Sequence, residues 1–178
     1  MRHKLGILIV LVGVLGIAPA FLTAETSDES LARQVRHELA MLPYYTVFDN
    51  LAFSVNDNTV ILSGQVNRPT LKSSAENVVK RVEGVSSVIN KIEVLPLSRH
   101  DDLVRLNVLR AIYQQPMLQK YALGATPSIH VIVKNGDVAL EGVVLNGTDR
   151  AIANIQANGV FGVFSVTNNL RVVEQSPA

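Results

Sequence analysis

The chain has 178 residues and a formal net charge of +1, with 16 basic and 15 acidic residues and no cysteine. A balance this close to neutrality argues against a nucleic-acid binder, which needs a strongly basic surface. Without cysteine the chain can have neither a disulfide framework nor a lipid anchor on a cysteine that follows a leader.

The start of the chain, 1–24, reads as a secretory signal peptide. A basic start, Arg2 to Lys4, precedes an apolar run from Leu5 to Ile17, and small residues follow around Ala20 and Ala24. We expect cleavage after Ala20 or Ala24; the alternative is an uncleaved membrane anchor. Loss of Arg2 and Lys4 leaves 14 basic residues against 15 acidic ones, so the mature chain is slightly acidic.

An internal repeat organises the remainder of the chain. The segment Val55–Val66 returns as Val133–Val144, and the correspondence persists downstream without an insertion, where Asn90 matches Asn168. Two copies of a module of about 70 residues therefore follow the leader, at residues 28–96 and 101–174. Because a unit of this size is only marginally stable alone, we expect the two modules to pack together.

Each module is predicted to have the order helix, strand, strand, helix, strand. In the first helix, Leu31, Val35 and Leu39 recur at helical spacing, and Pro43 ends it. Two strands flank Asn56–Asn58, and in the second module they flank the hairpin dipeptide Asn135-Gly136. The sequence thus predicts an α+β fold in which two helices cover a three-stranded mixed sheet. The second module has a short insertion before its first strand, which contains Lys120.

The repeated motifs resemble the BON domain (bacterial OsmY and nodulation). They are Gly64-Gln65-Val66, Gly84-Val85 and the strand 88–94 in module one, and Gly142-Val143-Val144, Gly162-Val163 and the strand 166–172 in module two. The resemblance implies a non-enzymatic protein of the Gram-negative periplasm or envelope, linked to osmotic stress and envelope integrity. It also implies binding of anionic phospholipid through the first helix of the second module.

The first helices of the two modules differ on the side opposite the core. Module one has Arg33, Arg36, His37 and Ala40, whereas module two has Leu106, Leu109, Arg110 and Tyr113. A helix that is apolar on both sides must be covered by something. Either module one or a partner subunit covers it, or it contacts a lipid surface peripherally, with arginines meeting phosphate.

The candidate binding residues are therefore those of this helix and of the insertion that follows it: Arg105, Leu106, Leu109, Arg110, Tyr113 and Lys120. The competing hypothesis is a periplasmic protein-interaction scaffold that uses the same residues without lipid. No histidine lies at metal-ligand spacing, and no serine or acid forms a catalytic pattern, so we expect neither cofactor nor enzymatic activity. The sequence does not set the oligomeric state.

Overall fold

A computed structural model of the chain describes residues 27–123 and 127–173, so the predicted leader lies outside the described residues. Module one contains α1 (Ser27–Ala40), β1 (Asn50–Asn56), β2 (Thr59–Val66), α2 (Pro69–Val79), β3 (Ser87–Asn90) and β4 (Glu93–Val94). In its sheet β1 pairs antiparallel with β2, and β3 and β4 pair parallel with β2. Leu31, Val35 and Leu39 of α1 enter the core, as their spacing predicts.

Module two repeats this order with one addition. It contains α3 (Arg99–Tyr113), a 3₁₀ helix (Pro116–Ala122), β5 (Ile129–Lys134), β6 (Asp137–Val144), α4 (Gly147–Asn158), β7 (Ser165–Asn168) and β8 (Arg171–Val172). The sheet again has a central second strand, with β5 antiparallel to it and β7 and β8 parallel to it. The predicted α+β class and the two mixed sheets are confirmed.

The last strand of each module is interrupted, although we expected it to be continuous. In module one the Asn90 side chain accepts from the Ile92 amide at 3.1 Å and donates to the Lys72 carbonyl of α2 at 3.1 Å. Asn168 does the same with Leu170 and Arg150 in module two. The asparagine oxygen thus takes an amide that a regular ladder would pair, and its NH₂ group fastens the strand to the second helix, so the strand is split at the asparagine.

The hairpin turn of module two depends on residues with a left-handed backbone. Asn135 and Gly136 have φ values of 54° and 83°, as a two-residue hairpin turn requires. Their amides both bond to the carboxylate of Asp101, which lies fully buried in the first turn of α3. The hairpin is thereby tied to the start of α3.

The two modules contact each other through the segment before β1. The Val131 amide on the outer edge of β5 donates to the Val47 carbonyl at 2.9 Å, and Phe48 packs against the core of module two. His130 bonds through Nδ1 to the Asp49 carbonyl at 2.6 Å. Ile132, on the helix-free face of the second sheet, is buried. Packing of the modules against each other, expected from their small size, is observed.

Candidate functional site

One side of α3 faces solvent and combines leucine with arginine. Its buried side carries Val104, Val108 and Ile112. The exposed side carries Arg99, Leu103, Leu106 and Arg110, spaced as i, i+4, i+7 and i+11, with Leu103 61% and Leu106 42% exposed. Within residues 27–123 and 127–173, neither Arg99 nor Arg110 forms an ion pair. This helix therefore presents both apolar surface and free positive charge.

Two of the predicted residues, Leu109 and Tyr113, support this side of the helix from beneath. Both are half-buried and pack against the core of module two. The Tyr113 hydroxyl donates to the Ile129 carbonyl on the edge of β5 at 3.1 Å, and burial raises the pKa of this phenol to about 12. Because both side chains are half-buried, only part of each could contact an external ligand.

Arg105 was expected at the margin of the exposed side, but the structure buries it. Its guanidinium donates to the Val133 carbonyl of β5 at 2.7 Å and pairs with Asp102. Helical spacing places Arg105 at the boundary of the core, and the edge of β5 supplies the acceptor that draws it inward. The charge of Arg105 is therefore bound by groups of module two itself.

Lys120 also forms its ion pair within module two, at the start of α4. Its ammonium lies 2.7 Å from a carboxylate oxygen of Asp149, which is fully buried. The Tyr121 hydroxyl donates to the same oxygen and accepts from the Leu145 amide at 2.7 Å. The hydrogen bond with Asp149 raises the pKa of the Lys120 ammonium. The insertion thus braces the first turn of α4, whose N-cap is Asn146.

A loop beside α3 adds two aromatic side chains that the sequence analysis did not select. Phe161 is 97% exposed and Phe164 is 75% exposed. The loop lies against the first turn of α3, because the Phe164 ring stacks on His100 with 6.0 Å between centroids. Gly162 approaches His100 and Val104 so closely that a Cβ there would come within 3.1 Å of the imidazole.

We define the apolar patch as Leu103, Leu106, Phe161 and Phe164. The repeat itself contained the signal for it. The two modules can be aligned by matching Leu31 with Val104 in the first helix and Gly84 with Gly162 in the loop. In this alignment the four residues of the patch correspond to polar residues of module one: Ser30, Arg33, Glu83 and Ser86. Of the predicted residues, the structure brings only Leu106 and Arg110 to this surface. The two leucines lie on α3 and the two phenylalanines on the loop against its first turn, and exposed apolar residues on adjoining elements mark an interaction surface.

The remaining surface shows no reaction chemistry among the described residues. No group of His, Asp and Glu there is placed to hold a metal ion. None of the described helices is both long and apolar enough to cross a membrane. A cleft of about 820 Å³ runs along β1 between the two modules, and its described lining contains no cluster of catalytic type. The exposed leucine, phenylalanine and arginine side chains of α3 and its neighbouring loop form an amphipathic surface that can contact a binding partner.

The comparison with protein families identifies the chain. The family model of the BON domain matches residues 27–96 and 102–174. The chain belongs to the BON family. The tandem BON organisation expected from the repeat is thus confirmed. BON is a family of non-catalytic binding domains, known for envelope and osmotic-stress proteins and for phospholipid binding, and its members are usually periplasmic or envelope-associated.

Other comparisons add little. No curated protein matches the chain. Among solved structures, it is similar to CdsD, a structural protein of the type III secretion system of Chlamydia trachomatis, at 15% identity, with 82% of this chain and 94% of that chain covered and a TM-score of 0.29. The C-terminal domain of CdsD is similar at 15% identity, with 84% and 100% covered and a TM-score of 0.30.

Proposed function

We propose that this tandem BON protein is exported to the periplasm, by a cleaved leader at residues 1–24, and supports envelope integrity under osmotic stress. It does so by peripheral contact with anionic phospholipid. The observation that carries the proposal is the apolar patch, which belongs to module two alone. Because both modules share one fold, the four replacements of polar residues by leucine and phenylalanine are not required by the fold.

The contact places the apolar patch at the boundary between headgroups and acyl chains. Leu103, Leu106 and the two phenylalanines dip in, while Arg99 and Arg110 reach the phosphates. Half-insertion of four such side chains is worth about 4 kcal/mol, and each arginine adds about 1 kcal/mol at an anionic surface. The apolar term alone corresponds to about millimolar affinity, so anionic lipid decides whether the protein binds.

This surface differs from the one expected from sequence. Leu106 and Arg110 remain part of the surface, and Leu109 and Tyr113 pack beneath it. Arg105 and Lys120 form ion pairs within module two, so the second positive charge at the surface comes from Arg99 instead. Two exposed arginines on a nearly neutral protein give weak attraction that salt screens. We therefore expect reversible membrane association.

The test is co-sedimentation with vesicles of phosphatidylcholine alone or mixed with phosphatidylglycerol. The protein should sediment with the mixed vesicles at low salt and be released as salt increases. Phe161→Glu with Phe164→Ser copies the residues of module one and should abolish sedimentation, as should Arg110→Glu. The matched control is Leu97→Ser, which removes an apolar side chain that is 98% exposed in the linker. Equal sedimentation with neutral vesicles, or unchanged binding of the double variant, would contradict the proposal.

The competing function is a scaffold that docks an envelope protein on the same surface. In that case vesicle sedimentation shows no lipid preference, while the double variant loses a protein partner. The two functions are separated by the vesicle experiment, because only lipid contact predicts dependence on phosphatidylglycerol in the purified protein.

A further inference from the structure

The outer edges of the two sheets differ in which groups bond to their outward-facing backbone. On β5, the edge carbonyls are occupied by side chains from α3: Tyr113 donates to Ile129 at 3.1 Å, and Arg105 donates to Val133 at 2.7 Å. Between these two positions the Val131 amide donates to the Val47 carbonyl of module one. These bonds, from two helix side chains and from the neighbouring module, seal the edge of β5, which means that its outward backbone groups already have partners.

The corresponding side chains are missing from module one. The same alignment of α3 with α1 places Ala32 opposite Arg105 and Ala40 opposite Tyr113. A methyl group can neither reach nor donate to the strand. The repeat thus shows that α1 supplies neither of the two seals that α3 gives to β5.

The unsealed backbone groups of β1 are those of Phe53 and Val55. Because Asp57 and Asn58 form a two-residue turn, the even-numbered residues of β1 bond to β2 and the odd-numbered ones point their backbone groups outward. The Tyr45 hydroxyl lies close to the Leu51 backbone, so Leu51 is not counted among the unsealed residues. No described residue bonds to the outward backbone groups of Phe53 or Val55.

The strand also lacks the features that usually protect an open edge. Natural edge strands are short or carry lysine, proline or bulges that prevent pairing with another chain. β1 has seven residues, Asn-Leu-Ala-Phe-Ser-Val-Asn, with neither a charge nor a proline. An edge of this length that borders an open cleft is a template for strand pairing.

The sequence of β1 is complementary to itself. Around Phe53 it is symmetric in character: Asn50 mirrors Asn56, Leu51 mirrors Val55, and Ala52 mirrors Ser54. Antiparallel pairing centred on Phe53 would set each residue opposite one of its own kind. It would pair the outward groups of Phe53 with those of Phe53 in the other strand, as an antiparallel ladder requires. Pairing of Leu51 with Val55 of the other strand would in addition displace the Tyr45 hydroxyl from the Leu51 backbone.

The edge is continuous with the contact between the modules. A groove of about 130 Å³ adjoins the edge. It is lined by Leu39, Ala40, Tyr45 and Phe53, and by Arg36, whose guanidinium lies 5.9 Å from the centroid of the Phe53 ring. The Tyr45 ring lies 5.6 Å from that of His130 on β5. The same strip of module one that docks on module two therefore borders the open strand, and a second chain would extend an interface that already exists.

We propose that β1 joins two copies of this chain through antiparallel pairing centred on Phe53, which merges their first sheets into one continuous sheet. The surface is separate from the apolar patch, so dimer formation and lipid contact are independent.

The decisive variant transfers the seals of module two to module one. Ala32→Arg with Ala40→Tyr should occupy the edge of β1 as Arg105 and Tyr113 occupy that of β5, and should abolish the dimer. A second variant, Ala52→Lys with Ser54→Lys, places exposed lysines opposite each other across the proposed ladder and should also be monomeric. The matched control, Gln34→Lys with Ser73→Lys, adds the same charge on exposed helix positions away from the edge and should remain dimeric.

The measurements are sedimentation velocity and hydrogen exchange on the purified chain over a wide concentration range. A dimer lost in both edge variants, retained in the control and in Leu106→Glu, with amide protection of Phe53 and Val55 that increases with concentration, supports the proposal. A monomer at every concentration overturns it, as does a dimer that persists in the sealed variant. Protection of these amides that does not depend on concentration would show that another segment of the same chain covers the edge, and overturns it too.

Discussion

At the scale of single residues, the contacts that matter most join polar side chains to backbone groups far away in sequence. Asp101, Arg105 and Tyr113 on α3 all bond to the backbone of β5 or its hairpin. A buried backbone group without a partner costs about 1–3 kcal/mol, so each of these side chains has a structural task that its position on a helical wheel does not reveal. His130 and Tyr121 allow this to be measured.

His130 should make the stability of the protein depend on pH. Burial lowers the pKa of its imidazole below the ordinary value of 6.5, against the opposing effect of its bond to the Asp49 carbonyl. The unfolded chain then binds a proton more readily than the folded one, so the free energy of unfolding falls as the pH drops below about 6.5. Urea unfolding between about pH 7.5 and pH 5 measures this slope.

The slope should be smaller in His130→Gln, which has no titrating group, and unchanged in the control His37→Gln, because His37 lies exposed on α1. Equal slopes in the wild type and His130→Gln would contradict the assignment.

Tyr121 should contribute to stability through its hydroxyl. Tyr121→Phe keeps the ring but removes the bonds to Asp149 and to the Leu145 amide. Leaving these buried partners without the hydroxyl should lower the free energy of unfolding by about 1–3 kcal/mol. The midpoint of urea unfolding reports the loss. Tyr44→Phe, at an exposed position, serves as the control and should change the midpoint little.

At the scale of elements, the repeat preserves the backbone conformations that the strands require. Gly64 and Gly142 occupy equivalent positions on the central strands, with φ values of 105° and 119°, which side chains rarely adopt. A Cβ on either would collide with a carbonyl oxygen of the neighbouring strand, that of Asn50 or Ser128. The Gly-x-Val motif thus reflects the close approach of two strands.

Gly142→Ala should therefore be strongly destabilising, by at least about 2 kcal/mol, because the strained backbone and the collision with Ser128 act together. Gly147→Ala is the matched control: it lies at the start of α4 with nothing within 4 Å of a new Cβ, so the change should be neutral or slightly stabilising. Thermal unfolding of the two variants distinguishes them, and equal loss in both would refute the argument.

At the scale of the whole molecule, the two modules should unfold together. Each has its own core, and the contact between them buries Ile132 and covers the edge of β5. Ile132→Lys places a charge in this contact and should separate the unfolding of the modules into two transitions. Urea titration followed by hydrogen exchange in each module detects the separation.

The control is Lys134→Gln, on the same face of β5. It removes the exposed ion pair with Glu93, whose atoms are 2.6 Å apart, but no buried apolar contact. An exposed pair contributes about 0–1 kcal/mol, so unfolding should remain a single transition. Two transitions in the wild type would show that the contact does not couple the modules.

Part of the candidate surface was predictable. Comparison of the first helices selected Leu106 and Arg110, and the same comparison applied to the loop would have selected Phe161 and Phe164 over Glu83 and Ser86. The roles of Arg105 and Lys120 were not predictable, since helical periodicity says which side of a helix is apolar but not which sheet edge or helix end lies beside it.

By itself, the sequence determined that the chain contains two copies of one small module and the order of their helices and strands. Apolar spacing and turn residues act over a few positions, and the repeat doubled each signal. Only the tertiary structure decided which polar groups meet, because their partners lie 28 residues apart for Arg105 and Val133 and 81 apart for His130 and Asp49. Such pairs depend on how the layers pack, and packing also decided that α3 seals β5, while no described residue bonds to the outward backbone groups of Phe53 and Val55.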